Sequence, residues 1–228
     1  MTNRYLPLLV FFGIFVTSPL FADSLLPPRS YKEVLPSGKF IFVMLVPKDA
    51  WNYEQSIRNS EVHPDYTRSG MYRNDGSTEP IWTVEWYSHG VDLAQDGVHL
   101  IRPGPWAWLR ENTPALDVEA VSFFANGQLL RTYQVGELVN NPGSFQQTVS
   151  HYWWQREGRL TGEYEYTIMT LDGNRFVFDV RTGEIVFESR MGWLSRWGWQ
   201  LIFYASSVCI FIWLIWSRSI SKIECADD

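Results

Sequence analysis

The stretch from Trp197 to Trp216 constrains this chain most, because its twenty residues carry no charge. A helix of that length is about 30 Å long and matches the hydrocarbon core of a bilayer. Tryptophans mark both of its ends, namely Trp193, Trp197, Trp199, Trp213 and Trp216. Indole rings favour the headgroup boundary, so this arrangement is typical of two aromatic belts. The sequence therefore predicts one transmembrane helix over residues 197–216.

The first 22 residues have the layout of a secretory signal peptide. Arg4 supplies the charged start, Leu6 to Val16 form the apolar core, and Ala22 provides a small residue for cleavage. The alternative interpretation is an uncleaved membrane anchor, since Leu20 stands where a small residue is preferred. We expect a signal peptide over residues 1–22.

A signal peptide followed by one stop-transfer helix fixes the expected orientation. An extended lead-in over residues 23–36 and a domain over 37–190 are placed on the extracytoplasmic, periplasmic side of the cell membrane. The tail at 217–228 is placed in the cytoplasm, where Arg218 and Lys222 agree with the positive-inside tendency. The sequence thus predicts a single-pass membrane protein.

Charge and cysteine content exclude some classes of protein. The net charge of −6 and the lack of a basic cluster argue against nucleic acid as a partner. Cys209 lies in the predicted membrane helix and Cys225 in the tail, so no intrachain disulfide is expected to stabilise the exported domain. Ala205 and Cys209 form a small-residue patch four residues apart, at which two such helices could associate.

Short strands separated by turns predict an all-β domain, an antiparallel sandwich or barrel-like fold of about ten strands. Residues 39–46 are apolar on both faces, as in a central strand covered on both sides. Hairpins are predicted at 121–133 and at 175–189, with Gly183 in the left-handed conformation. Further strands are predicted at 81–87, 98–102, 151–155 and 163–171. Four dipeptides predict hairpin-type turns: Asp75-Gly76, Asp96-Gly97, Asn126-Gly127 and Asp172-Gly173.

The segments MYRNDGSTEPIWTVEWY, DGVHLIRPGPW, FFANGQLLRTY and RFVFDVRTGEI resemble a group of uncharacterised exported bacterial proteins. The resemblance covers residues 37–188. That group carries no assigned activity, so the resemblance implies an exported β-rich protein and no site residues. The hairpin from Asp179 to Glu184, with its D-x-x-T-G-E pattern, also resembles propeller blades, although this pattern occurs in many β folds.

His89, Asp92, Asp96 and His99 form the densest group of potential metal ligands. Their spacing matches no recognised metal motif, so we expect Asp96 to cap a turn and His99 to lie on a strand. His63 is expected in a loop, and His151 is expected to be packed. No catalytic, cofactor-binding or metal-binding residue is assigned on this basis.

Paired carboxylates of the kind used in glycoside hydrolysis could come from Glu85, Glu119, Glu163 or Glu165. Alternation along the strand places Glu163 and Glu165 opposite Tyr164 and Tyr166, on a solvated face. The sequence does not fix any separation between these carboxylates.

Tryptophan is the residue in clearest excess, with twelve in the chain. Trp82, Val84 and Trp86 share one strand face, and Trp106 and Trp108 share another. Exposed aromatic rows bind sugars or partners, but Trp is usually largely buried, so we expect Trp82 and Trp86 in the core.

These observations favour a non-catalytic, membrane-anchored envelope protein whose exported domain binds or scaffolds another envelope component. A glycan-binding module with exposed tryptophans is the second hypothesis. A hydrolase with an unrecognised site is the third.

Overall fold

A computed structural model describes residues 26–105, 107–110, 113–148 and 151–191. The predicted signal peptide and the predicted transmembrane helix both lie outside these ranges. Within them, no helix has the length and apolar character needed to span a membrane.

The described residues are mostly β-structure, which confirms the predicted class. The strands are β1 (Tyr31–Val34), β2 (Phe40–Met44), β3 (Gly70–Arg73), β4 (Pro80–Thr83), β5 (Asp92–Leu93), β6 (His99–Pro103), β7 (Ala107–Arg110), β8 (Thr113–Pro114), β9 (Glu119–Ala125), β10 (Gln128–Gln134), β11 (Gln146–Gln147), β12 (His151–Trp153), β13 (Gln155–Leu160), β14 (Glu165–Thr170), β15 (Arg175–Asp179) and β16 (Glu184–Ser189). Helical structure is limited, in these ranges, to α1 (Tyr53–Arg58), α2 (Val135–Leu138) and a 3₁₀ turn at Pro142–Ser144.

The strands form four antiparallel sheets of four strands each. Sheet A has the order β1-β2-β3-β4, sheet B β10-β9-β6-β5, sheet C β11-β12-β7-β8 and sheet D β13-β14-β15-β16. The described residues thus contain sixteen strands rather than about ten. The additional strands include β5, β8 and β11, which are two residues long and too short to show an alternating pattern.

The turn chemistry is where sequence and structure agree best. Each of the four predicted dipeptides connects two neighbouring antiparallel strands. Asn126 and Gly127 have φ of 51° and 76°, as a type I′ hairpin turn requires, and Gly183 has φ of 72° as predicted.

Sheet A has the predicted central strand. β2 pairs with β1 on one side and β3 on the other. Phe42 and Met44 belong to one buried cluster, and Val43 belongs to a second one with Tyr72. Apolar residues on both faces of β2 therefore become buried, because both faces are covered.

Two boundaries differ from the sequence-based expectation. The lead-in contains β1, whose backbone pairs with β2, so it is not merely extended chain. The strand predicted at 81–87 ends at Thr83, and Val84 continues with a single backbone bond to the Ser69 carbonyl.

Sheet B contributes to two apolar clusters. Ile101 and Phe123 pack with Phe176 and Phe178 of sheet D. Leu100 and Phe124 pack with residues of sheet A, namely Phe42, Met44, Met71 and Trp82. Successive residues of a strand point to opposite faces, which explains why neighbours such as Phe123 and Phe124 belong to different clusters.

Candidate functional site

The predicted His and Asp group does not form one site. Asp96 Oδ1 accepts hydrogen bonds from the backbone N–H groups of Val98 and His99, at 2.8 and 3.0 Å, which confirms that Asp96 caps a turn. Its Oδ2 lies 2.6 Å from His99 Nδ1, and His99 begins β6. Burial raises the pKa of Asp96, but the hydrogen bonds from His99 outweigh it and leave that pKa below its ordinary value.

The other two members of that group have different neighbours. The His89 ring packs edge-on against Tyr87 at 5.2 Å between centroids, and burial lowers the His89 pKa. Burial raises the pKa of Asp92, and an interaction with the Tyr166 hydroxyl partly offsets that rise. Burial and the nearby Asp92 also raise the pKa of Glu33. In the described part of the chain, no group of three or more His, Cys, Asp and Glu is placed to hold a metal ion.

The four candidate glutamates have different surroundings. Glu119 binds the Arg102 guanidinium through both carboxylate oxygens, at 2.9 and 2.6 Å, and Arg102 lies over the Trp86 ring at 4.6 Å. Glu85, Glu163 and Glu165 are exposed. The solvated face predicted for Glu163 and Glu165 is confirmed, because Tyr166 is buried and Tyr164 is half-buried on the other side.

The tryptophan stripe lies mainly in the core. Trp82 and Val84 are buried, and Trp86 is half-buried against the same cluster. The predicted core position is thus confirmed for Trp82, whereas Trp86 is only half-buried at the edge of that cluster. Trp106 and the side chain of Trp108 lie outside the described part of the structure.

The remaining histidines match their predicted surroundings. His151 is 1% exposed, and its Nδ1 lies 2.9 Å from the Thr148 hydroxyl. His63 lies in an exposed loop, 3.4 Å from the Asp65 carboxylate.

The surface that stands out is formed by two neighbouring edge strands, β10 of sheet B and β16 of sheet D. Neither strand has a partner on its outer side among the described residues. Both expose large apolar side chains, with Leu129 and Leu130 on β10 and Val186 and Phe187 on β16. We call these four residues and their two strands the edge surface.

A β-bulge occurs in each of these two strands. Leu129 and Arg131 face consecutive residues of β9, so Leu130 is the extra residue in β10. Ile185 and Phe187 face consecutive residues of β15, so Val186 is the extra residue in β16. Leu130 is 41% exposed and Val186 is 60% exposed. A bulge turns a side chain out of the regular pleat, and here it turns an aliphatic one to solvent.

Contacts between the two strands hold the edge surface together. Arg131 of β10 forms an ion pair with Glu184 of β16 at 3.4 Å. The buried Tyr133 hydroxyl donates to the Gly183 carbonyl at 3.0 Å. A Cβ at Gly183 would lie 2.9 Å from the Arg131 Cβ, so only glycine permits this close approach. These contacts fix the position of β10 relative to β16 at the edge surface.

Sequence reasoning did not single out this surface. Two adjacent apolar residues interrupt the alternation in each strand, Leu129-Leu130 and Val186-Phe187. Such pairs are a local indication of a bulge, but they do not show which strands form the edges of a sheet.

Comparisons with known proteins gave no matching family model, no matching curated protein and no matching solved structure. The resemblance to exported bacterial proteins thus stays a prediction.

Proposed function

We propose that this protein is a non-catalytic, single-pass envelope protein whose exported β-domain binds another envelope protein through the edge surface. The partner adds an extended segment alongside β10 or β16. The observation that carries the proposal is the pair of bulged edge strands with exposed aliphatic side chains, Leu130 and Val186.

An exposed edge strand can pair with another chain, and the same property allows it to bind a partner. Unpaired N–H and C=O groups attract another strand, and proteins usually protect such edges with charges, β-bulges, proline or short strands. β10 and β16 are seven and six residues long and contain no proline. Each has a bulge and charged residues, but these charges are in ion pairs, Arg131 with Glu184 and Glu188 with Arg190. Strand addition supplies backbone hydrogen bonds, and side chains such as Leu130 and Val186 add apolar contact.

The position of the predicted membrane helix supports a partner site at the edge surface. Seven residues, 190–196, separate β16 from Trp197. Even a fully extended chain places Ser189 within about 30 Å of the start of that helix. The edge surface would then face the zone just outside the bilayer, where another envelope protein is accessible.

We further propose that the sheets form a layered sandwich, with sheet B as the middle layer. Residues of sheet B belong to both apolar clusters, one shared with sheet A and the other with sheet D, which supports that arrangement.

Site-specific photocrosslinking in native membranes tests the proposed partner site. A photoreactive amino acid is placed at Leu130 or Val186 in the full-length chain. The matched control is Ile81, which is 45% exposed on β4, an edge strand of sheet A. We expect an adduct of one discrete added mass from Leu130 and Val186 and none from Ile81.

Two outcomes would contradict the proposal. Equal crosslinking at Ile81 would mean that any exposed aliphatic residue is labelled. An adduct at twice the mass of the chain would mean that the surface binds a second copy and not another component.

A further inference from the structure

The chain leaves the β-domain at one end of sheet D, where hydrogen bonds hold it to the core. The Met191 N–H donates to Asn174 Oδ1 at 3.0 Å. Asn174 is fully buried, and its Nδ2 donates to the Leu138 carbonyl at 2.9 Å. The Arg190 guanidinium donates to Asn140 Oδ1 at 2.8 Å. The chain therefore departs from a fixed point of the domain.

Two exposed apolar side chains lie at this end of sheet D. The pairing of β13 with β14 continues one step further, because the Leu171 N–H donates to the Trp154 carbonyl at 2.9 Å. Trp153 directly precedes Trp154 and is 42% exposed. Met191 is 49% exposed and packs against the β14–β15 turn, since a Cβ at Gly173 would lie 2.8 Å from Met191 Cε.

Two exposed basic residues share this end of the sheet. Arg156 is the extra residue of the bulge in β13, and Arg175 is the first residue of β15. The exposed carboxylates of Glu163 and Glu165 lie at the opposite end, where β14 begins. We call four residues the exit end: Trp153, Arg156, Arg175 and Met191.

The length of chain after Met191 limits what the exit end can face. Six peptide steps separate Met191 from Trp197, where the predicted membrane helix begins, so their Cα atoms are at most about 20 Å apart. The opposite end of sheet D is about 20 Å further away, because β14 is six residues long and each residue adds about 3.3 Å. The tether thus brings the exit end, rather than the opposite end, to the headgroup layer.

The side chains of the exit end suit that layer. Indole rings favour the boundary between headgroups and hydrocarbon, and exposed Trp153 supplies one. Basic residues close to a membrane surface are attracted to anionic lipids, and Arg156 and Arg175 supply two such charges. The carboxylates at the opposite end would be repelled by the same lipids.

We propose that the exit end rests on the headgroup layer of the bilayer and binds anionic phospholipids. This inference rests on the single-pass membrane helix of the proposed function. Trp153 and Met191 insert between headgroups, and Arg156 and Arg175 bind the phosphate groups. The strands of sheet D then rise from the membrane surface, which leaves the open side of β16 accessible to a neighbouring envelope protein.

Fluorescence quenching in lipid nanodiscs tests this orientation. The full-length chain with Cys209→Ser and Cys225→Ser carries one fluorophore, at Trp153→Cys or at the matched control Glu163→Cys, which is also exposed. The nanodiscs contain phosphatidylcholine and phosphatidylglycerol, with nitroxide quenchers on the headgroups. We expect quenching to be about threefold stronger at position 153 than at position 163, because only the exit end meets the headgroups.

Lipid charge and one arginine test the chemistry of the contact. In nanodiscs of phosphatidylcholine alone, quenching at position 153 should fall about twofold, since the attraction to anionic headgroups is lost. Arg156→Gln should cause a similar fall in the mixed nanodiscs. Arg159→Gln is its matched control, because Arg159 is exposed on the same strand and lies about 10 Å further from the exit end. It should leave the quenching unchanged.

Two results would overturn the proposal. Quenching that is equal at the two positions, or stronger at position 163, would mean that the exit end does not face the membrane. Quenching at position 153 that is the same in both kinds of nanodisc would mean that anionic headgroups are not bound.

A third labelled chain separates this inference from its premise. It carries the fluorophore on native Cys209, with Cys225→Ser, in nanodiscs with nitroxides on the acyl chains. Quenching at Cys209 without quenching at position 153 would overturn this inference alone. Absence of quenching at Cys209 would overturn the membrane helix and this inference together. The crosslinks from Leu130 and Val186 test the partner site independently.

Discussion

The indole Nε1 of Trp82 donates a hydrogen bond to the carbonyl oxygen of Gly97 across 2.9 Å. Trp82 lies on β4 of sheet A, and Gly97 lies in the turn between β5 and β6 of sheet B. The Trp82 ring also packs 6.1 Å from the Phe42 ring, measured between centroids. The hydrogen bond to Gly97 thus joins sheet A to sheet B, while the contact with Phe42 lies within sheet A.

Truncation of Trp82 should be strongly destabilising. Trp82→Ala removes a ring that is only 7% exposed, and such changes lower the free energy of unfolding by about 3–5 kcal/mol. Trp82→Phe should lower it less, by about 1–3 kcal/mol, because it leaves the buried Gly97 carbonyl unpaired. Urea denaturation of the full-length chain measures both values.

Trp51 provides the control for that measurement. Its side chain is 81% exposed, so Trp51→Ala should change the free energy of unfolding by no more than about 0.5 kcal/mol. If Trp82→Ala were as stable as Trp51→Ala, Trp82 would not be a core residue.

The hairpin turn at Gly127 should tolerate alanine much less well than the turn at Gly38. Both glycines have positive φ, 76° and 70°, so alanine costs about 1–2 kcal/mol at either one. A Cβ at Gly127 would also lie 2.2 Å from the Thr83 carbonyl oxygen, whereas nothing lies within 4 Å of one at Gly38. Gly127→Ala should therefore melt at a clearly lower temperature than Gly38→Ala. Equal melting temperatures would show that the backbone at Thr83 moves aside freely.

The turns could be predicted from the sequence because their cause is local. Asn126 and Gly127 accept positive φ wherever they occur, and that conformation fixes a two-residue hairpin. The apolar run at β2 was equally informative, since a strand with two apolar faces needs cover on both.

The edge surface could not be predicted because its parts are distant in sequence. The edge surface depends on the pairing of Arg131 with Glu184, 53 residues away. Sequence periodicity shows which side chains share a face, but it does not show which strands have open edges.

The predicted orientation makes Cys225 inaccessible from outside the cell. An impermeant maleimide should not label Cys225 in intact cells, and it should label this thiol once the membrane is opened. Glu54→Cys serves as the positive control, because Glu54 is exposed on α1 of the predicted exported domain. Rapid labelling of Cys225 in intact cells would reverse the orientation.

Asp92 should destabilise the folded protein at neutral pH. Burial raises its pKa above the ordinary value of 3.8, and the Tyr166 hydroxyl offsets only part of that rise. The folded state therefore binds a proton at Asp92 more readily than the unfolded chain does. The wild-type protein should gain stability at this site as pH falls from neutral through the raised pKa towards 3.8.

Asp92→Asn removes that ionisation and keeps an acceptor oxygen of similar size. The variant should be more stable than wild type at neutral pH, and its advantage should shrink as pH falls through the raised pKa of Asp92. It should also lower the pKa of Glu33, which the nearby Asp92 charge helps to raise. Melting temperatures across the acidic range, with exposed Asp49→Asn as control, measure the first effect. If the extra stability of Asp92→Asn over wild type does not change with pH, the charge of Asp92 is not its cause. The substituted amide would then act through packing.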